Sequence, residues 1–255
     1  MPHLSSLRCH GCERVRVYHL FEDTTGDDFM VYQAMSRIPG VKAFWFKPKG
    51  DMALIGKADL TVTHEMVEKL APAAEPLIWT PITGTPAYDV GYVGSPDAHE
   101  EDWLEAMFSA FPSFEFNQYA QFEDKAALMA GCRVALNNHL GAMCQGNTVL
   151  MHESDADNMG LTDGLQCLTY RDAEGAVEKI KAFLPHPDRR AAIGARARAW
   201  VRNGHTYFHR ALSLLSRARH TPDLSFDLEK VLATPPFEGE AWGQNRDERL
   251  KHIAV

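Results

Sequence analysis

Hydrophobic positions along the chain fall into short β-type runs separated by stretches of helical period. RVRVYHLF at 14–21, VKAFWFKP at 41–48, ADLTVTH at 58–64 and PLIWTP at 76–81 are rich in β-branched and aromatic residues and read as strands. Between the first two, Phe29, Tyr32, Met35 and Ile38 recur at helical spacing. Asp27 or Asp28 can cap that run and Pro39-Gly40 stops it, which predicts a helix over 27–38. A second short helix is expected over 64–71. Strands separated by helices imply parallel β-α-β units.

The segment TPITGTPAYD at 80–89 is dense in Pro, Gly and Thr and reads as a linker, after which the pattern restarts. Tyr88–Val93 is almost continuously apolar, as a strand covered on both faces should be, and Gly94-Ser95-Pro96 makes its turn. A helix is expected over 100–111, with Trp103, Leu104, Met107 and Phe108 on one side. FEFNQ, RVALN, TVLMH and LQCLTY supply further strands. Asp172 is expected to cap a helix over 173–184 whose first turn carries Glu174. Asp188 is expected to cap a long helix running to Asn203-Gly204, and a last helix covers 205–219. This divides the chain into a first α/β lobe over 1–86, a Rossmann-like lobe over 87–219 and an extension over 220–255. The extension is polar, with an apolar stripe at Phe226, Leu228, Val231 and Leu232, and reads as packing loosely on the body or docking a partner or second copy.

Composition changes this picture little. With 45% hydrophobic and 24% charged residues the chain is an ordinary globular protein. It has no apolar run of about 18 residues and no apolar signal core near its start, so a cytoplasmic location without a membrane span is expected. The net charge of −8 argues against sequence-independent nucleic-acid binding. Arg189, Arg190, Arg196, Arg198, Arg202, Arg210, Arg217 and Arg219 nonetheless gather positive charge, as a solvated helix face or a local basic patch. Cys132, Cys144 and Cys167 lie within or beside apolar runs and read as buried small hydrophobes. Cys9 and Cys12 form a pair, but no second pair completes a structural zinc site, so neither metal nor cofactor is expected.

Four strings occur in order: YDVGYVGS at 88–95, YRDAEGAVEKI at 170–180, HPDRRAAI at 186–193 and HTYFHR at 205–210. Together they resemble the second lobe of CgeB-like, group 1 glycosyltransferases, whose two-lobed plan is the GT-B fold. ADLTVTHEMVEKL and PLIWTPI look like the end of the first lobe in such enzymes. The resemblance implies a GT-B-like α/β fold with a Rossmann-type parallel-sheet C-terminal lobe and a shortened N-terminal lobe. It further implies metal-independent transfer of a sugar from a nucleotide-sugar donor to a hydroxyl acceptor, a modified base in DNA being one acceptor class. Gly94 and Ser95 map to the donor-phosphate turn, where glycine lets backbone N–H groups approach a diphosphate. His99 follows it, partly charged near neutral pH. Where such enzymes place cations after the turn, this chain has Pro96, Asp97, Ala98, His99, Glu100 and Glu101, and the family's ribose-binding Glu falls at Gly141. These departures, with the short first lobe, keep a second reading open: a non-catalytic descendant acting in binding or assembly.

Candidate chemistry lies at strand ends. Asp23, within the acidic turn Glu22–Asp28, is a candidate base for the acceptor hydroxyl or a hard-cation ligand, and equally part of a capped helix start. His139 is the second catalytic candidate, with Asn137 and Asn138 beside it as hydrogen-bonding partners for sugar hydroxyls. The alternative is a polar loop. Glu153, Ser154, Asp155 and Asp157 follow TVLMH in what reads as a loop near the donor sugar. His205, Tyr207 and Arg210 read as locking the last helix in place.

Overall fold

In chain order the elements are β1 (Val15–Leu20), α1 (Gly26–Arg37), β2 (Val41–Phe46), β3 (Leu60–Thr63) and α2 (His64–Glu68). There follow β4 (Tyr88–Val93), α3 (Ala98–Ala110), β5 (Phe114–Asn117), α4 (Phe122–Ala130), β6 (Cys132–Ala135), α5 (His139–Gln145) and β7 (Thr148–His152). The series closes with α6 (Glu153–Met159), β8 (Leu168–Tyr170), α7 (Ala173–Phe183), α8 (Pro187–Gly204), α9 (Tyr207–Arg217) and α10 (Leu228–Ala233). The computed structural model describes residues 15–20, 26–38, 41–46, 60–76, 79, 81–94, 96, 98–117, 122–136, 139–217 and 228–233. Cys9, Cys12 and Asp23 lie outside them. Two units emerge, Met1–Ala71 with Tyr207–Val255, and Pro72–Thr206.

The first unit holds a parallel three-stranded sheet in the order β2-β1-β3. Of the stripe expected over 27–38, Tyr32, Met35 and Ile38 are buried, at 8%, 0% and 2% exposure, and Val31 and Ala34 beside them are buried as well. Against α1 packs α9, whose Phe208, Ala211, Leu214 and Leu215 are all fully buried. Tyr207 Oη donates to Asp27 Oδ1 at 2.5 Å, and Arg210 Nε donates to the Ala71 carbonyl at 2.7 Å. Part of the segment 220–255 also belongs here. Leu228 and Val231 of α10 are buried, and the Leu232 carbonyl accepts from Arg37 Nη2.

The second unit is a five-stranded sheet, all parallel, in the order β5-β4-β6-β7-β8. The expected α/β class with a Rossmann-type sheet is therefore what the chain adopts. Successive residues feed opposite cores, as period two requires. Tyr92, Val134 and Leu150 join Trp103, Met107, Ile180 and Ile193 on one face. Val93, Ala135, Val149 and Met151 join Met129, Met143, Ala197 and Val201 on the other. Strands covered twice in this way need the near-continuous apolar sequence seen in β4 and β7.

Several local expectations are corrected. Over 76–81 the described residues form no strand: Pro76 sits in a turn and Trp79 N–H donates to the Glu75 carbonyl at 3.0 Å. The proline-rich segment that follows is tied to the second unit, through Ile82 N to Gln145 O (3.3 Å) and Ala87 N to Gly131 O (2.8 Å). Helix α8 begins at Pro187 with His186 as its cap residue, so Asp188 is in the first turn and does not cap. Proline needs no N–H partner at that position, and its fixed φ suits the first helical residue. Residues 153–159, expected as a loop, form α6, with Ser154 N–H donating to His152 Nδ1 at 3.3 Å and Gly160 closing the helix at φ 69°. Asp172 does cap α7, accepting from Gly175 N at 2.7 Å.

Candidate functional site

From β4 the chain passes through α3 to β5 on one side, then returns through α4 to β6 on the other side of β4. The helices that follow β4 and β6, α3 and α5, therefore pack on opposite faces of the sheet, so the strand order reverses at the carboxyl ends of these neighbouring strands. Ligands of open α/β sheets bind at such reversals of strand order. At the end of β4, Gly94 adopts φ 133°, a conformation in which an L side chain is strained, while its N–H donates to the Asn117 carbonyl at 3.1 Å. The turn after β4 is thus fixed to the end of β5, and α3 begins four residues later.

Three groups of expected site residues stand at this edge. Gly94 ends β4, half-buried His139 opens α5 after β6, and Glu153, Ser154 and Asp155 open α6 after β7. Because β4, β6 and β7 are consecutive neighbours, their ends span about 10 Å at ordinary strand spacing. Glu153 is engaged by Arg171, whose Nε donates to Oε2 at 2.5 Å in an exposed pair. The Ser154 hydroxyl lies 2.8 Å from His152 Nδ1. Ser95 and Asn138 lie outside the described residues, and His99 lies on the first turn of α3.

Trp79 and Gly141 are a feature the sequence reading missed. A Cβ placed on Gly141 would lie 2.3, 2.5 and 2.6 Å from Cε2, Cζ2 and Cδ2 of the Trp79 indole. The ring, only 4% exposed, covers the α5 backbone where any side chain at 141 would project. The signal was present as a glycine inside an apolar helical segment, which marks a close approach when it is kept against helix propensity.

The three central thiols are buried and unpaired as disulfides, as expected. Burial, more than the nearby Glu115, pushes Cys132 up to about 12. Burial likewise raises Cys144 to about 11, with Arg202 and Arg198 opposing and Glu75 reinforcing the shift. Cys167 rises to about 11 by burial and then by Asp163. The α8 arginines are not simply a solvated face. Arg190 Nη1 donates to the carbonyls of Phe183 and Leu184, and Arg196 Nε donates to Leu165 O at 2.7 Å. Burial and then Arg133 hold the Arg190 guanidinium below its usual value.

Among the described residues no cluster of three His, Cys, Asp or Glu side chains could hold a metal, and no helix is long and apolar enough to cross a membrane. No protein with a curated description matches the chain in sequence. Among solved structures, sucrose-phosphate synthase from Thermosynechococcus elongatus aligns at 14% identity and TM-score 0.49, covering 69% of this chain and 57% of its own. This chain thus spans little more than half of that enzyme. A glycosyltransferase from Rickettsia africae aligns at 12% identity and TM-score 0.48, covering 82% of this chain and 71% of its own. The family model described as glycosyl transferase-like matches residues 65–216, more than half of the sequence. That match takes in the strands, turns and helices from which the resemblance was read, and the chain belongs to the glycosyl transferase-like family.

Proposed function

We propose that the second unit binds a nucleotide-sugar donor at the carboxyl ends of β4 and β6, and that the protein transfers its sugar to a hydroxyl acceptor. The observation that carries this reading is the Gly94 turn at φ 133°, set where the strand order reverses. The donor diphosphate lies against the backbone at Gly94 and Ser95 and the start of α3, with His99 adding partial positive charge. Asn138, Ser154 and Asp155 hydrogen-bond sugar hydroxyls, with Glu153 held by Arg171 at their side. His139 stands against the transferring sugar. Asp23 is proposed as the base for the acceptor hydroxyl. In the reaction the acceptor oxygen bonds to the anomeric carbon as the bond from that carbon to the donor phosphate breaks. The base takes the hydroxyl proton and the nucleoside diphosphate leaves. The acceptor is proposed to be a modified DNA base or another hydroxyl compound, and the reaction a cytoplasmic one.

Isothermal titration of the full chain with UDP, TDP, GDP and ADP tests the reading. One of them is expected to bind at micromolar concentration, and Gly94→Val is expected to abolish that binding. Absence of binding to all four at millimolar concentration would overturn it. The indole packed on Gly141 favours a second reading, a non-catalytic binding protein, because it leaves no room there for a side chain that could hold a ribose. Sugar transfer or donor hydrolysis by the purified protein, lost in His139→Ala, would exclude that second reading.

A further inference from the structure

We propose that Trp79 is a positioning residue for the site at the end of β6: its indole is the plate against which α5 is registered, and it sets where His139 stands. The inference rests on the donor-site reading above. Helix α5 has seven residues, too few to hold its place by its own hydrogen bonds, so its position comes from what it packs against. Ala142, Met143 and Cys144 are fully buried by the sheet and α8. Helix α4 packs on another side, and Trp79 covers α5 at Gly141, with three ring atoms within 2.6 Å of the point a Cβ on residue 141 would occupy. Backbone and indole are therefore in direct contact two residues from His139, with no flexible side chain between them.

The plate is itself anchored although it belongs to no strand or helix. Ala74 N donates to His205 O at 2.9 Å, Trp79 N to Glu75 O at 3.0 Å and Ile82 N to Gln145 O at 3.3 Å. The last of these ties the same segment to the far end of α5. One stretch of chain thus grips the helix at both ends, by the ring near His139 and by a hydrogen bond at Gln145. Removing the ring leaves a gap of about one aromatic thickness, roughly 3.5 Å, into which α5 can move. A shift of about 1 Å at a reacting group costs on the order of 100-fold in rate. The effect should therefore appear in ligand geometry out of proportion to its effect on folding.

The test uses the full chain with Trp79→Phe, Trp79→Leu, Trp79→Ala and the pair Trp79→Ala with Gly141→Ala. Three quantities are read: affinity for the nucleoside diphosphate that the unaltered protein binds, thermal midpoint, and the NMR shifts of the His139 imidazole, assigned through His139→Gln. Trp79→Ala is expected to weaken binding at least about tenfold and to move the His139 resonances, while Trp79→Phe restores both. In the double variant the new methyl enters the vacated space and returns part of the loss. Should Trp79→Ala fail to fold, Trp79→Leu carries the same comparison. Unchanged affinity and unmoved His139 resonances in a folded Trp79→Ala or Trp79→Leu protein would reduce Trp79 to packing alone. If the unaltered protein binds no nucleotide, the donor reading fails, and the His139 shifts still decide the positioning claim independently.

Discussion

Two glycines of α8 should respond to the same substitution with opposite signs. A Cβ on Gly194 would lie 1.9 Å from the Gly146 carbonyl oxygen, 2.8 Å from its carbon and 3.3 Å from the Asn147 carbonyl carbon. All three are backbone atoms in a turn that cannot retreat. Gly146 holds φ 97°, its N–H donates to Met143 O at 3.0 Å, and Asn147 Nδ2 donates to Met129 O at 2.6 Å. Ordinary contact therefore requires α8 to lift by about 1.5 Å, drawing Ile193, Ala197 and Val201 away from the sheet. Overpacking of this kind costs about 1–3 kcal/mol, and more where backbone must move; the better helix propensity of alanine returns up to about 1 kcal/mol. A net loss near 2–3 kcal/mol corresponds to a fall in Tm of roughly 5–10 °C for a unit of this size. At Gly204, the last residue of the same helix, a Cβ meets nothing within 4 Å. Gly204→Ala should therefore raise stability by about 0.5–1 kcal/mol through the lower entropy of the unfolded chain. Scanning calorimetry of both variants checks the pair. A Gly194→Ala protein melting within 1 °C of the parent on the order resolved by the method, or two variants shifting in the same direction, would refute the close-approach argument.

Further outcomes follow from the caps and the buried thiols. Asp172→Ala removes the carboxylate that accepts from Gly175 N and should cost about 1 kcal/mol, read as a lower midpoint in urea with an unchanged slope. The thiols of Cys132, Cys144 and Cys167, raised by burial to about 12, about 11 and about 11, should resist alkylation at pH 8 in the native protein and react once it is unfolded; peptide mapping by mass spectrometry counts them. Their linkage has a definite sign. From the ordinary value of 9 upward the unfolded chain releases thiol protons that the folded chain retains, so their contribution is complete below pH 9 and is lost as pH rises toward 11–12. Urea midpoints at successive alkaline pH values, compared with a Cys132→Ala, Cys144→Ala, Cys167→Ala protein, isolate that contribution.

Much of the fold was legible because its cause is local. The near-continuous apolar runs of β4 and β7, the Asp172 cap and the spacing of Tyr32, Met35 and Ile38 each declare themselves within a few residues. The errors have a different origin. PLIWTP has the composition of a strand, but Trp79 is buried because Gly141, 62 positions further on, offers bare backbone to its ring. At the start of α8, Pro187 takes the first helical position, where its missing N–H and fixed φ are accommodated, and this leaves Asp188 inside the first turn instead of at the cap. Arg189 and Arg196 of α8 are exposed as a solvated face would be, while Arg190 is half-buried because the carbonyls that it serves lie at the end of α7.

The four strings that carried the family resemblance turn out to be joints of the framework. YDVGYVGS is a doubly covered strand ending in the Gly94 turn. YRDAEGAVEKI holds the end of β8 and the Asp172 cap. HPDRRAAI contains the proline that opens α8 and the arginine that closes α7. HTYFHR contains Thr206 bridging Ala74, Tyr207 on Asp27 and Arg210 on Ala71. Caps, turns and buried joints admit few residue types, since each must satisfy a fixed backbone demand, so they spell out a family plainly. Donor and acceptor are chosen by side chains projecting from strand ends, where many residue types satisfy the backbone equally well. Family and fold are consequently readable from this chain, while in the proposed reading the choice of sugar falls to His139, Glu153, Ser154 and Asp155, positions on which the framework places no comparable restriction.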